Sequence, residues 1–221
     1  MAPSNFTRLL AEFLGTAMLL ISVVGSGIMG ETLADGNTAV ALLANAIATG
    51  CMLYVIITTL GPISGAHFNP IVTLAFAFRG EHPWKLVAPY IIVQVIGGIL
   101  GVWAVHLMFD LPILQASATL RTGTGQWSSE IIATFGLLFV IFGGLRHKVD
   151  AVPPLVAMYI TGAYWFTSST SFANPAVTIA RGFSDTFAGI APSNIAMFIV
   201  MQVAGMAIGH VVLTRLFHSN Q

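Results

Sequence analysis

The sequence NPIVTLA at residues 69–75 recurs as NPAVTIA at residues 174–180, with five identities in seven positions. Each copy begins with Asn-Pro, in which Asn caps helices well and Pro suits the first helical turn. The apolar segments that follow, residues 69–78 and 174–183, hold about ten residues each, so as helices they reach only about 15 Å. That is about half the thickness of the hydrocarbon core of a bilayer. The repeat therefore predicts two half-length helices, each of which begins at an Asn.

Six longer apolar segments surround the two short ones. They cover residues 6–29, 38–60, 86–109, 127–145, 153–168 and 193–217. About 20 apolar residues in a helix span a bilayer, and lipid offers the backbone no hydrogen bonds, so these segments are predicted to be membrane-spanning helices. Composition agrees, because 56% of the 221 residues are hydrophobic and 7% are charged. A typical soluble domain carries about 25% charged residues.

The charge balance and the cysteine content exclude several classes of protein. Eight Lys and Arg residues balance eight Asp and Glu residues, which leaves no net positive charge for binding nucleic acid. Cys51 is the single cysteine, so neither an intrachain disulfide nor a thiolate metal cluster is expected. No motif joins a nucleophile to a base or gathers metal ligands. We therefore expect no enzyme activity, no metal site and no cofactor.

The repeat extends beyond the two Asn-Pro segments. Glu12 and Glu130 each lie four residues before a Thr, and Gln94 and Gln202 each begin a Gln-Val sequence. These matches predict a single domain over residues 1–221, with one repeat at about residues 6–110 and the other at about residues 125–217. Three spans per repeat is an odd number, so the two halves must be inverted relative to each other in the membrane. Inverted repeats with discontinuous helices place the working site near the midplane, where the halves meet.

Charges beside the spans predict the orientation. If the N-terminus is cytoplasmic, the outer side carries only Arg121 and Arg181. The inner ends then carry six cations, at Arg8, Arg79, Lys85, Arg146, Lys148 and Arg215. The positive-inside rule favours this arrangement. We expect a multi-pass protein of the cell inner (plasma) membrane with both termini in the cytoplasm.

The two Asn residues indicate the function. A helix N-terminus carries about half a positive charge and unsatisfied N–H groups. Two such ends that meet at the midplane repel cations, while the amides of Asn69 and Asn174 donate hydrogen bonds to a passing hydroxyl. This predicts a channel for small uncharged molecules. The alternative is a proton-coupled secondary transporter that uses Glu12 and Glu130, because inverted repeats and broken helices occur in both classes.

The residues around the Asn-Pro pairs resemble the paired signature loops of the aquaporin and aquaglyceroporin family, the major intrinsic proteins. The matching sequences are SGAHFNP at residues 64–70 and FANPA at residues 172–176. The resemblance covers essentially the whole chain and implies an all-α membrane fold with six transmembrane helices and two re-entrant half-helices in an inverted repeat. It also implies a homotetramer with one pore in each subunit. The pore signature that it implies is Asn69, Pro70, Ile71, Asn174, Pro175 and Ala176, and the residues that brace the loops are Glu12, Glu130 and His67.

The resemblance also implies which side chains narrow the pore, and here the sequence departs from the family. Counting from the signature Asn residues gives Thr49, Gly162, Ser171 and Val177 as the filter. The family usually has Arg where this chain has Val177, and Ala where it has Ile71. Small uncharged groups predict a wide filter without Arg that admits water, glycerol-like polyols and metalloid hydroxides such as arsenous acid. These features are similar to those of the bacterial arsenic-operon AqpS subfamily.

Two further residues near the predicted mouths are interpreted as solvated. Arg181 lies four residues after Val177, on roughly the same helix face. We expect it in a solvated vestibule, with replacement of the missing filter charge as the alternative. His82, between the first half-helix and the third span, is expected to be a solvated loop residue rather than part of a pH-sensitive gate.

Overall fold

A computed structural model describes residues 3–217, in which all regular structure is helical. The helices are α1 (Asn5–Leu33), α2 (Thr38–Ser64), α3 (Pro70–Phe78), α4 (Trp84–Met108), α5 (Thr124–His147), α6 (Val152–Phe166), α7 (Pro175–Arg181) and α8 (Pro192–Leu216), with a 3₁₀ helix at Val149–Ala151. Within this range, α1, α2, α4, α5 and α8 are each long and apolar enough to cross a membrane. The expected all-α membrane architecture is confirmed.

The fifth predicted span, α6, forms close to its predicted bounds but is too short to cross the membrane by itself. Its 15 residues make a helix about 22 Å long, less than the roughly 30 Å hydrocarbon core. The helix ends at Phe166 because Thr167 adopts an extended backbone (φ −112°, ψ 135°), and the chain then turns inward. α6 packs against both α2 and α5, so it completes the bundle although it is too short to span by itself.

Both predicted half-helices form, and each starts directly after its Asn. The side-chain oxygen of Asn69 accepts the backbone N–H of Ile71 at 2.9 Å, and that of Asn174 accepts the backbone N–H of Ala176 at 2.9 Å. The residue that follows each Asn is the Pro at the first helical position, where its missing N–H costs nothing. The local chemistry of Asn-Pro thus fixes where the two helices begin.

The long helices pack in two similar groups. α1 lies against α2 and α4, while α5 lies against α6 and α8. Glycines allow the closest crossings in both groups. A Cβ added at Gly97 of α4 would overlap the carbonyl oxygen of Phe13 in α1, and one at Gly205 of α8 would lie 2.6 Å from the carbonyl oxygen of Ile131 in α5. The two halves therefore use the same kind of contact.

The helix order brings both ends of the described chain to one side of the bundle. Arg8 near the start of α1, Ser64 at the end of α2 and Val149 after α5 line one groove. Phe217, which follows α8, packs on the ring of His147 at the end of α5. The side with these residues is termed the terminal side, and the other is termed the opposite side.

Candidate channel site

A buried carboxylate holds the loop that leads into α3. Glu12 of α1 is fully buried, and its two oxygens accept the backbone N–H groups of His67 at 2.9 Å and Phe68 at 2.7 Å. They also accept the hydroxyl of Ser64 at 2.7 Å and the amide of Gln94 at 2.8 Å. Every one of these partners is a donor, which suits an ionised carboxylate. The carboxylate therefore accepts hydrogen bonds from loop N–H groups that have no acceptor in a helix or strand.

The second repeat builds the same network around Glu130 of α5. This side chain is also fully buried and accepts the backbone N–H groups of Phe172 and Ala173, both at 2.9 Å. The amide of Gln202 donates to it at 2.6 Å. The structure thus places each Glu beneath a re-entrant loop, with a Gln from the last long helix of the repeat beside it.

The amides of the two signature Asn residues reach across to each other's loops. Nδ2 of Asn69 donates to the carbonyl oxygen of Ala173, and Nδ2 of Asn174 donates to that of Phe68, each at 2.8 Å. Phe68 and Ala173 both have a φ of 47°, an uncommon conformation for residues other than Gly. A side-chain amide has two N–H groups, so one remains on each Asn for another acceptor.

A cavity of about 120 Å³ runs past both Asn residues. One water occupies roughly 10–15 Å³ measured in this way, so the cavity has room for a short file of waters. Each surrounding helix contributes side chains spaced four residues apart, which lie on one helix face. These are Leu19 and Val23; Thr49, Leu53 and Ile57; Val72 and Phe76; Leu137, Ile141 and Leu145; Val152, Val156, Ile160 and Tyr164; and Val177 and Arg181.

Three of the four predicted filter residues lie together on this wall. Thr49, Ser171 and Val177 all line the cavity and are all buried. The hydroxyl of Thr49 lies 3.2 Å from that of Tyr164, a residue that was not among the predicted filter residues. The Ser171 hydroxyl has no hydrogen-bond partner within the described part of the chain. This section of the wall therefore combines small side chains with hydroxyls that can serve a solute.

Gly162, the fourth predicted filter residue, lies on a different face of α6. It is two residues from both Ile160 and Tyr164, or about 200° around the helix from each. Gly162 is partly exposed, and a Cβ there would lie 3.7 Å from the ring of Phe166. Among the residues that the structure describes, Tyr164 occupies the wall where Gly162 was expected. A count back from the signature Asn misses it because such a count carries no information on helix phase.

Arg181 lies on the cavity wall, and its expected position in a solvated vestibule is wrong. The side chain is 2% exposed. Its guanidinium carbon lies 3.5 Å from the centroid of the Phe172 ring, and its Nε donates to the carbonyl oxygen of Ala188. The side chain lies on the wall because it follows Val177 by one helical turn, on the face of α7 that meets the cavity. The wall thus contains an Arg, although not at the signature position.

His82 is buried as well, so the expectation of a solvated side chain is wrong. It is 3% exposed, and its ring centroid lies 5.0 Å from that of His67 and 4.6 Å from that of Tyr90. Burial lowers the pKa of His82 below its ordinary value, and the charge of Arg8 lowers it further. A neutral imidazole therefore packs in an aromatic cluster on the terminal side.

Comparison with known proteins decides the family. The model of the family described as "Major intrinsic protein" matches residues 2–165. The chain belongs to the major intrinsic protein family. Members of this family are channels and not enzymes, which agrees with a cavity that passes between two re-entrant loops.

Individual relatives support the same assignment. The chain is 53% identical over 198 residues to the aquaglyceroporin AqpS of Rhizobium meliloti (strain 1021), in an alignment that covers 90% of this chain and 84% of that protein. It is 38% identical over 138 residues to the aquaporin NIP1-1 of Zea mays, which covers 62% of this chain but only about half (48%) of the plant protein. The X-ray structure of the aquaglyceroporin from Plasmodium falciparum superimposes with a TM-score of 0.75 at 21% identity, covering 97% of this chain and 96% of the other. At that identity the likeness shows the fold, and the predicted aquaporin-like fold is confirmed.

Proposed function

We propose that this major intrinsic protein is a passive channel for small neutral solutes, namely water, glycerol-like polyols and metalloid hydroxides such as arsenous acid. The observation that carries the proposal is the cavity that passes both Asn69 and Asn174. A proton-coupled transporter would need Glu12 or Glu130 to exchange protons. Both carboxylates are fully buried and bonded to loop N–H groups, which supports a bracing role instead.

The chemistry of the wall supports neutral solutes. Most of the lining is apolar, and its polar groups are the two signature amides, the hydroxyls of Thr49, Tyr164 and Ser171, the imidazole of His67 and the guanidinium of Arg181. A polyol exchanges part of its hydration for these few hydrogen bonds, whereas a cation loses hydration that the wall does not replace. Arsenous acid is a neutral trihydroxy molecule and resembles a small polyol. The 53% identity to a protein named an aquaglyceroporin favours solutes larger than water.

Assembly and orientation belong to the same proposal. We expect a homotetramer in the cell inner (plasma) membrane, with one pore per subunit and both termini in the cytoplasm. Large apolar side chains such as Met18, Ile47 and Ile132 are exposed on the outside of the bundle, where lipid or a neighbouring subunit would cover them. Six Lys and Arg residues lie toward the terminal side and two lie toward the opposite side. The positive-inside rule therefore favours a cytoplasmic terminal side.

Stopped-flow light scattering on proteoliposomes tests the function directly. Vesicles that contain the purified protein should shrink faster than empty vesicles in a hyperosmotic buffer, which reports water flux. They should also reswell faster when the added solute is glycerol or arsenous acid, which reports solute entry. Channel flux should rise linearly with solute concentration and should persist after a protonophore collapses the pH gradient. Saturable flux that requires the gradient would support the transporter, and rates equal to those of empty vesicles for every solute would contradict a channel.

A further inference from the structure

The opposite mouth of the cavity contains a buried positive charge, which Arg181 supplies because residue 177 is Val. Within residues 3–217, the one ion pair at hydrogen-bonding distance joins Arg79 to Glu81, so no carboxylate of the described chain forms an ion pair with Arg181. Arg181 instead contacts the face of the Phe172 ring and the carbonyl oxygen of Ala188. A ring face and a carbonyl stabilise a guanidinium without cancelling its charge. The wall therefore carries at this mouth a positive charge that no ion pair within the described chain offsets.

The internal repeat shows that this stacked pair has a counterpart at the other mouth. The offset of 105 residues between the two signature Asn residues maps Phe172 onto His67 and Arg181 onto Phe76. His67 and Phe76 also stack, with ring centroids 4.9 Å apart and planes inclined by 13°. All four residues line the cavity. The fold thus places a loop residue against a half-helix residue at each mouth, and only the pair at the opposite mouth includes a permanently charged side chain.

A second guanidinium lies behind the first. Arg121 approaches the Phe172 ring to 5.0 Å, and its Nε and Nη2 donate to the carbonyl oxygens of Gly189 at 2.7 Å and Phe187 at 3.3 Å. These bonds tie the loop before α5 to the loop after α7. Unlike Arg181, Arg121 is not among the described residues that line the cavity. It therefore offers a matched control with the same charge and the same aromatic neighbour, set back from the pore.

We propose that Arg181 is the selectivity-determining residue of the opposite mouth, where its guanidinium repels cations and donates hydrogen bonds to the oxygens of neutral solutes. Its one hydrogen bond within the described chain uses Nε, so the two terminal amino groups remain available as donors. Val177 leaves space beside it because Val is much smaller than Arg. The charge thus enters the pore one helical turn beyond the usual position. This inference rests on the proposed channel function and deepens it.

The test compares Arg181→Val with Arg121→Leu in proteoliposomes. For each variant, K⁺ and proton conductance are measured together with the ratio of glycerol to water flux. Arg181→Val should raise cation conductance by about tenfold or more, because it removes a unit charge from a poorly hydrated site. The glycerol-to-water ratio should also change. Arg121→Leu removes an equal charge that does not line the cavity, so it should change both readouts much less than Arg181→Val does, even though it also loosens the loop that contains Ala188.

A double variant tests whether a guanidinium on this face of α7 is what excludes cations, and the melting temperature in detergent shows whether each variant is folded. Val177→Arg combined with Arg181→Val moves the guanidinium back by one turn and should restore exclusion of cations. Cation leakage through the unaltered protein, or an Arg181→Val channel that stays ion-tight with an unchanged flux ratio, would overturn the inference. These results differ from failure of the proposed function, in which the unaltered protein would pass neither water nor glycerol.

Discussion

Glu12 and Glu130 accept hydrogen bonds from loop N–H groups that have no acceptor in the helical backbone. The loops before α3 and α7 include residues with positive φ, such as Phe68 and Ala173, so consecutive N–H groups point where no helical partner exists. An unpaired buried N–H costs about 1–3 kcal/mol. Each carboxylate accepts two of these groups at once and so offsets the cost of the strained conformation.

Replacement of Glu130 by Gln should therefore destabilise the protein. The amide nitrogen that replaces one oxygen is a donor, and it would face the N–H of Phe172 or of Ala173, so we expect a loss of about 2–4 kcal/mol in the free energy of unfolding. Thermal unfolding in detergent measures the loss. The same change at Glu31, which is exposed, should have little effect. Equal melting temperatures for both variants would contradict the bracing role.

Single side chains also show where sequence reasoning reaches its limit. Asn-Pro at positions 69 and 174 specifies a helix start through local chemistry alone, so the tips of the half-helices were predictable. The burial of Arg181 was not, because it depends on the ring of Phe172 and on the loop that contains Ala188. Tyr164 was missed for a different reason. It was recoverable from the four-residue spacing that begins at Val152, a signal that counting from Asn174 does not use.

At the scale of helices, the cavity depends on how closely the long helices cross. α4 approaches α1 where Gly97 meets the backbone of Phe13, and α8 approaches α5 where Gly205 meets Ile131. Because these contacts are between a Cα and a backbone carbonyl, a side chain there would push the helices apart. The same helices carry Gln94, Gln202 and the two Glu residues, so such a shift would also disturb both loops.

Gly97→Ala should separate α1 from α4. The new Cβ would overlap the carbonyl oxygen of Phe13, which cannot move without bending α1, so we expect destabilisation of about 1–3 kcal/mol. Gly25→Ala is the matched control in the same interface, because its Cβ would meet Val105 and Phe109 at ordinary distances of 3.7–3.8 Å. Melting temperature and glycerol flux should both fall for Gly97→Ala alone. A control that falls as far would show that the crossing has no special requirement at Gly97.

Helix lengths were predicted less well than helix starts. Apolar composition identified the segment at residues 153–168, but it does not report that the backbone becomes extended at Thr167. That turn follows from tertiary contacts, because Ser129 of α5 accepts the backbone N–H of Ser168 and packs against its hydroxyl at 3.0 Å. α6 consequently ends at Phe166, two residues before the predicted end of this segment.

In the whole molecule, one architecture is repeated while its two mouths differ in chemistry. The terminal mouth presents the stacked rings of His67 and Phe76, with the buried ring of His82 behind them. The opposite mouth presents Arg181 on Phe172. Such asymmetry is possible because the repeat constrains backbone geometry through its Asn and Glu residues and leaves the side chains of each mouth free to differ. The proposed orientation decides which chemistry a solute meets on the outside.

The single natural cysteine makes this orientation measurable. Cys51 is exposed on the outside of α2, in the interior of a helix long enough to span the membrane, so lipid or a neighbouring subunit should shield it from water-soluble maleimides. In a Cys51→Ala background, Thr122→Cys places a thiol in an exposed loop on the opposite side, and Lys148→Cys places one in an exposed loop on the terminal side. With cytoplasmic termini, intact cells or spheroplasts should label Thr122→Cys, whereas Lys148→Cys should react only after lysis. The reverse pattern would invert the proposed topology and place Arg181 at the cytoplasmic mouth, and labelling of both from outside would contradict a span formed by α5.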